Sequence, residues 1–117
     1  MADLTILHNQ KCSTSRHAME EIEAQGVQAD VVEYLKTPLD RAAYEELIGK
    51  LEDPVADLVR KDPFFKSLDL DPAGYTTPDA VIDLLLEHPR LLQRPILVQG
   101  DRAIIGRPKD RVAAFLA

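Results

Sequence analysis

The chain has 117 residues, a formal net charge of -6 and a single cysteine. This length suits one domain, residues 1–117, that can bury a core without disulfides or metal. One cysteine excludes an internal disulfide and any multi-cysteine zinc or iron–sulfur centre, so a redox cycle run by its thiol needs a second thiol from outside. The acidic balance argues against non-specific binding to nucleic acid or anionic membrane. Met1–Thr5 lacks the basic and apolar blocks of a signal peptide, and no apolar run is long enough to span a bilayer. The expectation is a cytoplasmic monomer with a reduced thiol.

Leu4–Leu7 reads as a buried strand running into His8 and Asn9. The polar loop around Cys12, Ser13, Thr14 and Ser15 offers good helix caps, and a helix is expected from about Ser15 to Gln25, stopped by Gly26. Asp30–Tyr34 reads as a second strand, parallel to the first. Thr37-Pro38 breaks the chain. Asp40 then caps a helix in which Tyr44, Leu47, Ile48 and Leu51 recur at helical spacing, with Leu39 placed to staple against Tyr44. Asp53-Pro54 reads as a second cap, opening a short helix that carries Arg60 and Lys61. Residues 62–76 read as loop anchored by Phe64, Phe65 and Leu68, and Thr77-Pro78 starts a helix closed near His88-Pro89. Ile96–Val98, the Gly100-Asp101 turn and Ala103–Ile105 form a hairpin, and Arg107-Pro108 opens a last helix. The summed order is βαβ, a helical insertion at about 38–88, then ββα. It predicts an α/β fold of thioredoxin-like type with a four-stranded mixed sheet.

Cys12 falls between a strand end and a helix start, where free amides and the helix dipole favour a thiolate and an oxyanion beside it. Lys11 and Arg16 add positive charge, as does His8 when protonated. Polar neighbours disfavour the plain alternative of a buried apolar cysteine. The familiar nucleophile patterns do not fit. Ser15 stands where Cys-x-x-Cys needs its second cysteine, and Ala18 stands where a phosphatase loop needs arginine. His17 and His88 lack a protease signature, and His8, Cys12 and His17 form no known metal pattern, so no metal is expected. Arg60, Arg94 and Arg107 lie at element boundaries, two of them before prolines that flank the hairpin. Guanidiniums gathered round a thiolate suit a tetrahedral oxyanion, whose oxygens they match in bidentate fashion and whose charge they offset.

His8-Asn9-x-x-Cys12-x-Thr14-Ser15-Arg16, Leu58-Val59-Arg60-Lys61, His88-Pro89, Arg94-Pro95-Ile96 and Arg107-Pro108 together resemble the glutaredoxin-linked arsenate reductases, over nearly the whole chain. The sequence departs from that family at Gln10, where proline is common, and at Ser13, where glycine is. The resemblance implies that Cys12 attacks arsenate, with Arg60, Arg94 and Arg107 binding the oxyanion beside the Ser13, Thr14 and Ser15 loop. It implies that glutathione reduces the adduct to release arsenite, that glutaredoxin clears the resulting mixed disulfide, and that no cofactor stays bound. It makes His8 a group that lowers the Cys12 pKa, Pro95 a cis proline, and Asn9, Lys11 and Arg16 supporting residues. Two other activities remain open. One is a glutathione-dependent thiol or disulfide reductase. The other is an RNA polymerase-binding regulator, whose usual Cys-x-x-Cys switch is absent here because position 15 is Ser15.

Overall fold

The structure is a computed structural model that describes residues 3–116. Leu4–Leu7 forms β1, and its alternating apolar side chains are almost fully buried on both faces. A helix, α1 (Ser13–Ala24), returns the chain to β2 (Ala29–Val32), which pairs parallel with β1 from Leu4↔Ala29 to Leu7↔Val32. Gly26, at φ +67, takes the left-handed conformation that ends α1. β3 (Ile96–Gln99) lies antiparallel on the other side of β1, and β4 (Arg102–Ile105) follows through the turn at Gly100. The order β2-β1-β3-β4 is the expected four-stranded mixed sheet. The last helix is α5 (Asp110–Leu116).

Side-chain alternation sorts the core onto the two sheet faces. Leu4, Ile6, Leu97 and Ile104 meet Ala18 and Ile22 of α1 and Val112 and Phe115 of α5. Leu7, Ile96, Ala103 and Ile105 face the segments between β2 and β3. These comprise α2 (Arg41–Lys50), α3 (Pro63–Ser67), α4 (Pro78–Glu87) and short 3-10 helices at Val55–Leu58, Pro72–Gly74 and Pro89–Leu91. Asp40 and Thr77 cap α2 and α4 as expected, and Leu39 packs into the cluster that holds Tyr44. None of the described helices is long and apolar enough to cross a membrane.

Several boundaries differ from expectation, each for a local reason. α1 starts two residues early, with Cys12 itself at the cap position. β2 spans 29–32 rather than 30–34, and Tyr34 is buried in the turn beyond it. Asp53 is no helix cap: Pro54 takes that position, and the Asp53 carboxylate accepts from the Ile105 amide at 2.9 Å and from Arg111 at 2.8 Å. The 3-10 helix after it ends at Leu58, so Arg60 and Lys61 lie beyond it. The stretch 62–76 is not all loop, because Asp62 caps α3 through the Phe65 amide. Arg107-Pro108 is a cis bond that precedes α5 by two residues, and Arg94-Pro95 is also cis, as the resemblance implies.

The segment 51–53 covers the outer edge of β4. Leu51 bridges Ala103, the Glu52 amide donates to the Ala103 carbonyl at 2.9 Å, and Arg102 grips the Glu52 carboxylate with two nitrogens at 2.6 and 3.1 Å. At the far end of β4, Gly106 lies flush against the Pro95 loop and donates to the Pro95 carbonyl at 2.8 Å. A Cβ there would sit 2.8 Å from Pro95 Cγ, 3.0 Å from Leu97 Cδ1 and 3.2 Å from Val112 Cγ2. Gly106→Ala is therefore expected to lower stability by about 1–3 kcal/mol through overpacking. This would be read as a lower urea midpoint at unchanged slope. Tyr44→Phe, which removes a buried hydroxyl that has no partner among the described residues, should leave the midpoint unchanged or raise it.

Candidate active site

β1 delivers the chain into a loop tied to one side chain. Ser15, with no exposed surface, receives the Asn9 amide on its Oγ at 3.1 Å and sits 2.6 Å from His8 Nδ1. The Asn9 side chain accepts from the Lys11 amide at 3.0 Å, and its carbonyl accepts from the Cys12 amide, also at 3.0 Å. Arg16 donates to the Gln10 carbonyl at 2.9 Å and closes the loop from outside. These bonds set the partly exposed Cys12 sulfur over the first turn of α1.

Arg107 Nη2 lies 3.3 Å from Cys12 Sγ, and its Nε donates to the Arg94 carbonyl at 2.7 Å. Arg94 lies near enough to favour the thiolate, and its Nη1 donates to the Arg90 carbonyl at 3.1 Å. Burial pushes the Cys12 thiol up. The Ser15 amide, Arg94, the Thr14 amide and Arg107 outweigh that and hold it below the ordinary thiol value.

The other expected residues fall into place differently. Burial pushes the His8 imidazole down, Glu33 raises it and Arg16 lowers it, with a net shift downward. A buried ring of this kind is neutral near pH 7, so His8 does not add positive charge, and it touches Ser15 rather than the sulfur. Arg60 is brought alongside by the pairing of residues 58–60 with 91–93, through Arg60 N to Leu91 O and Gln93 N to Leu58 O, each at 2.7 Å. Its guanidinium is bound to Asp62 at 3.0 Å rather than to Cys12. Ser13 and Lys11 are exposed, and Thr14 is buried. Pro95 fixes the turn between Arg94 and β3.

Two groups escaped sequence reasoning. Tyr34 is fully buried in the turn after β2, with its hydroxyl 3.5 Å from the Leu92 carbonyl and near Arg94 and Asn9. Its place one turn past a strand that ends beside the Cys12 loop was the available signal. Arg111, held by Asp53, donates to the Ile105 and Arg107 carbonyls at 2.9 and 3.3 Å and so fixes the backbone from which Arg107 projects.

The ArsC family pattern matches residues 7–115. The chain belongs to the ArsC family. The arsenate reductase of Neisseria meningitidis serogroup A is 37% identical over 99% of this chain and all of its own length. That of Escherichia coli K12 is 36% identical over 99% of this chain and 82% of its own. The solved structure of an arsenate reductase from Vibrio cholerae superposes with a TM-score of 0.82 at 33% identity, covering 95% of each chain. The fold of this ArsC-family chain is thus thioredoxin-like, with a mixed four-stranded sheet.

Alkylation of Cys12 as a function of pH should show a midpoint below the free-thiol value of about 8.5. Arg107→Gln should raise that midpoint by roughly one unit, the scale of one close opposite charge, and slow alkylation at pH 7. His8 has a folded value below its unfolded 6.5, so the unfolded chain takes up the proton first. Its contribution to stability holds above about pH 6.5 and falls as the pH drops below it. Urea unfolding at pH 5 and 7 should show this loss, and His8→Gln should reduce it.

Proposed function

We propose that this protein reduces arsenate to arsenite, with Cys12 as nucleophile and with glutathione and glutaredoxin as the external thiol system. The observation that carries this reading is the Arg107 guanidinium 3.3 Å from the Cys12 sulfur, with Arg94 also favouring the thiolate, in a chain of the ArsC family. Arsenate is an anion, and its approach to a thiolate is repelled. Fixed guanidiniums offset that repulsion without reorganising during the reaction. The Ser13–Ser15 turn supplies helix-terminal amides for a remaining oxygen.

In the proposed cycle the Cys12 thiolate attacks arsenic, and one arsenate hydroxyl takes the proton of a second As–OH and leaves as water. A glutathione thiolate then attacks the Cys12 sulfur. A disulfide forms, the sulfur–arsenic bond breaks, and its electron pair stays on arsenic, which departs as arsenite. Glutaredoxin attacks the Cys12–glutathione disulfide and returns Cys12 to its thiolate. The chain has one cysteine, so the resolving thiol must come from outside. The reducing conditions of a cytoplasm suit such a thiol.

One observation favours a second reading. With Arg60 bound to Asp62, the sulfur is contacted by Arg107 and favoured as a thiolate by Arg94 but has no third guanidinium beside it, which is enough for a glutathione-dependent reductase of mixed disulfides. Arsenate reduction coupled to glutathione and glutaredoxin decides between them. Wild type should turn over and Cys12→Ser should not. Arg60→Gln should lower kcat/KM for arsenate by about tenfold or more, the loss expected of one charge-assisted contact, and spare turnover of a mixed disulfide. Well-folded wild type that cleaves mixed disulfides but leaves arsenate untouched establishes the second reading.

A further inference from the structure

Between the Cys12 loop and the segments that follow β2 lies a cavity of about 440 Å³, walled by Asn9, Lys11, Leu35, Asp62, Arg90 and Arg94. That volume is within the span of small-molecule sites, about 300–1,000 Å³. Its charges divide into used and unused. Arg94 is tied through its carbonyl to Arg107, which holds the Cys12 sulfur, and Asp62 is held by Arg60. Lys11 and Arg90 have no carboxylate within ion-pair distance among the described residues. Arg90 is nonetheless held in place. Its guanidinium carbon lies 3.9 Å from the centre of the Phe64 ring, and Phe64 is braced edge-on by His88 at 5.7 Å. Leu35, 46% exposed, places apolar surface in the same wall.

We propose that this cavity seats the arms of the external thiol, and that the thiol is a small peptide-like molecule with more than one carboxylate, as glutathione is. Lys11 and Arg90 bind the carboxylates, Leu35 carries the methylene stem, and Arg94 joins the cavity to the reacting sulfur. Free arsenate fits the cavity less well, because it has no apolar part to place on Leu35 and its charge is met at Cys12. The inference rests on Cys12 using an external thiol, and it holds whether the other substrate is arsenate or a disulfide.

The test compares glutathione with the neutral 2-mercaptoethanol as reductant of the arsenate reaction, in wild type, Arg90→Gln and Lys11→Gln. The ratio of kcat/KM for glutathione to that for 2-mercaptoethanol should fall about tenfold in each variant. Arg90→Lys, which keeps the charge, should recover much of it. A parallel arm needs no arsenate. The Cys12 thiolate attacks glutathione disulfide, a Cys12–glutathione disulfide forms and a glutathione thiolate leaves. The neutral bis(2-hydroxyethyl) disulfide reacts in the same way. The preference for the glutathione disulfide should fall in the same variants, so the subsite is tested even if arsenate is not a substrate. Unchanged ratios in both arms overturn the proposal. A raised KM for arsenate with unchanged thiol ratios also overturns it and makes the cavity an oxyanion site.

Discussion

Arg107 gives Nε to the Arg94 carbonyl and Nη2 to the Cys12 sulfur, joining three segments that are far apart in the chain. A guanidinium can do this because its donors diverge in one rigid plane. The contact depends on the backbone at 105–107 being held, and that hold comes from a distance. Asp53 binds the Ile105 amide and Arg111, and Arg111 binds the Arg107 carbonyl. Gly106, packed against Pro95 and Val112 without room for a Cβ, brings the Arg94 loop and the Arg107 loop together. Cys12 therefore owes its environment to Asp53 of the insertion and to α5 as much as to its own loop.

The molecule carries excess negative charge, yet the sulfur faces cations. Ser15 makes this compatible with a tight loop. Its hydroxyl uses up the Asn9 amide and meets the His8 ring, leaving the amides of the first helical turn directed at the sulfur. The side chain that denies this protein a second thiol is thus a structural tie in its own right, and the neutral His8 works through it rather than as a charge.

The sheet and the position of Cys12 were legible because both follow from local patterns: alternating apolar strands, a glycine stop, a hairpin turn, and polar residues between a strand and a helix. Arg94 and Arg107 were legible because each precedes a proline at one end of the hairpin. Partners were not. Asp53 and Asp62 both precede prolines and look alike as caps, but Asp62 caps α3 and Asp53 instead reaches residues 52 and 58 positions away. Tyr34 suits a strand by residue type, whereas its hydroxyl meets the Leu92 carbonyl, far along the chain. Periodicity reports which face a residue occupies, not what it meets there. That is also why the pattern marks Arg60 but not its partner Asp62.

The segment 51–53 gives β4 a main-chain neighbour that the four strands alone would not supply. Among the described residues, β2 pairs only with β1, so it is the one strand of the sheet with an unpaired side. It is four residues long, contains Asp30 and is followed by Glu33. A second copy aligned there would set like charges against each other. Strand addition, the usual hazard of an open sheet, is thus blocked by cover at one end of the sheet and discouraged by charge at the other.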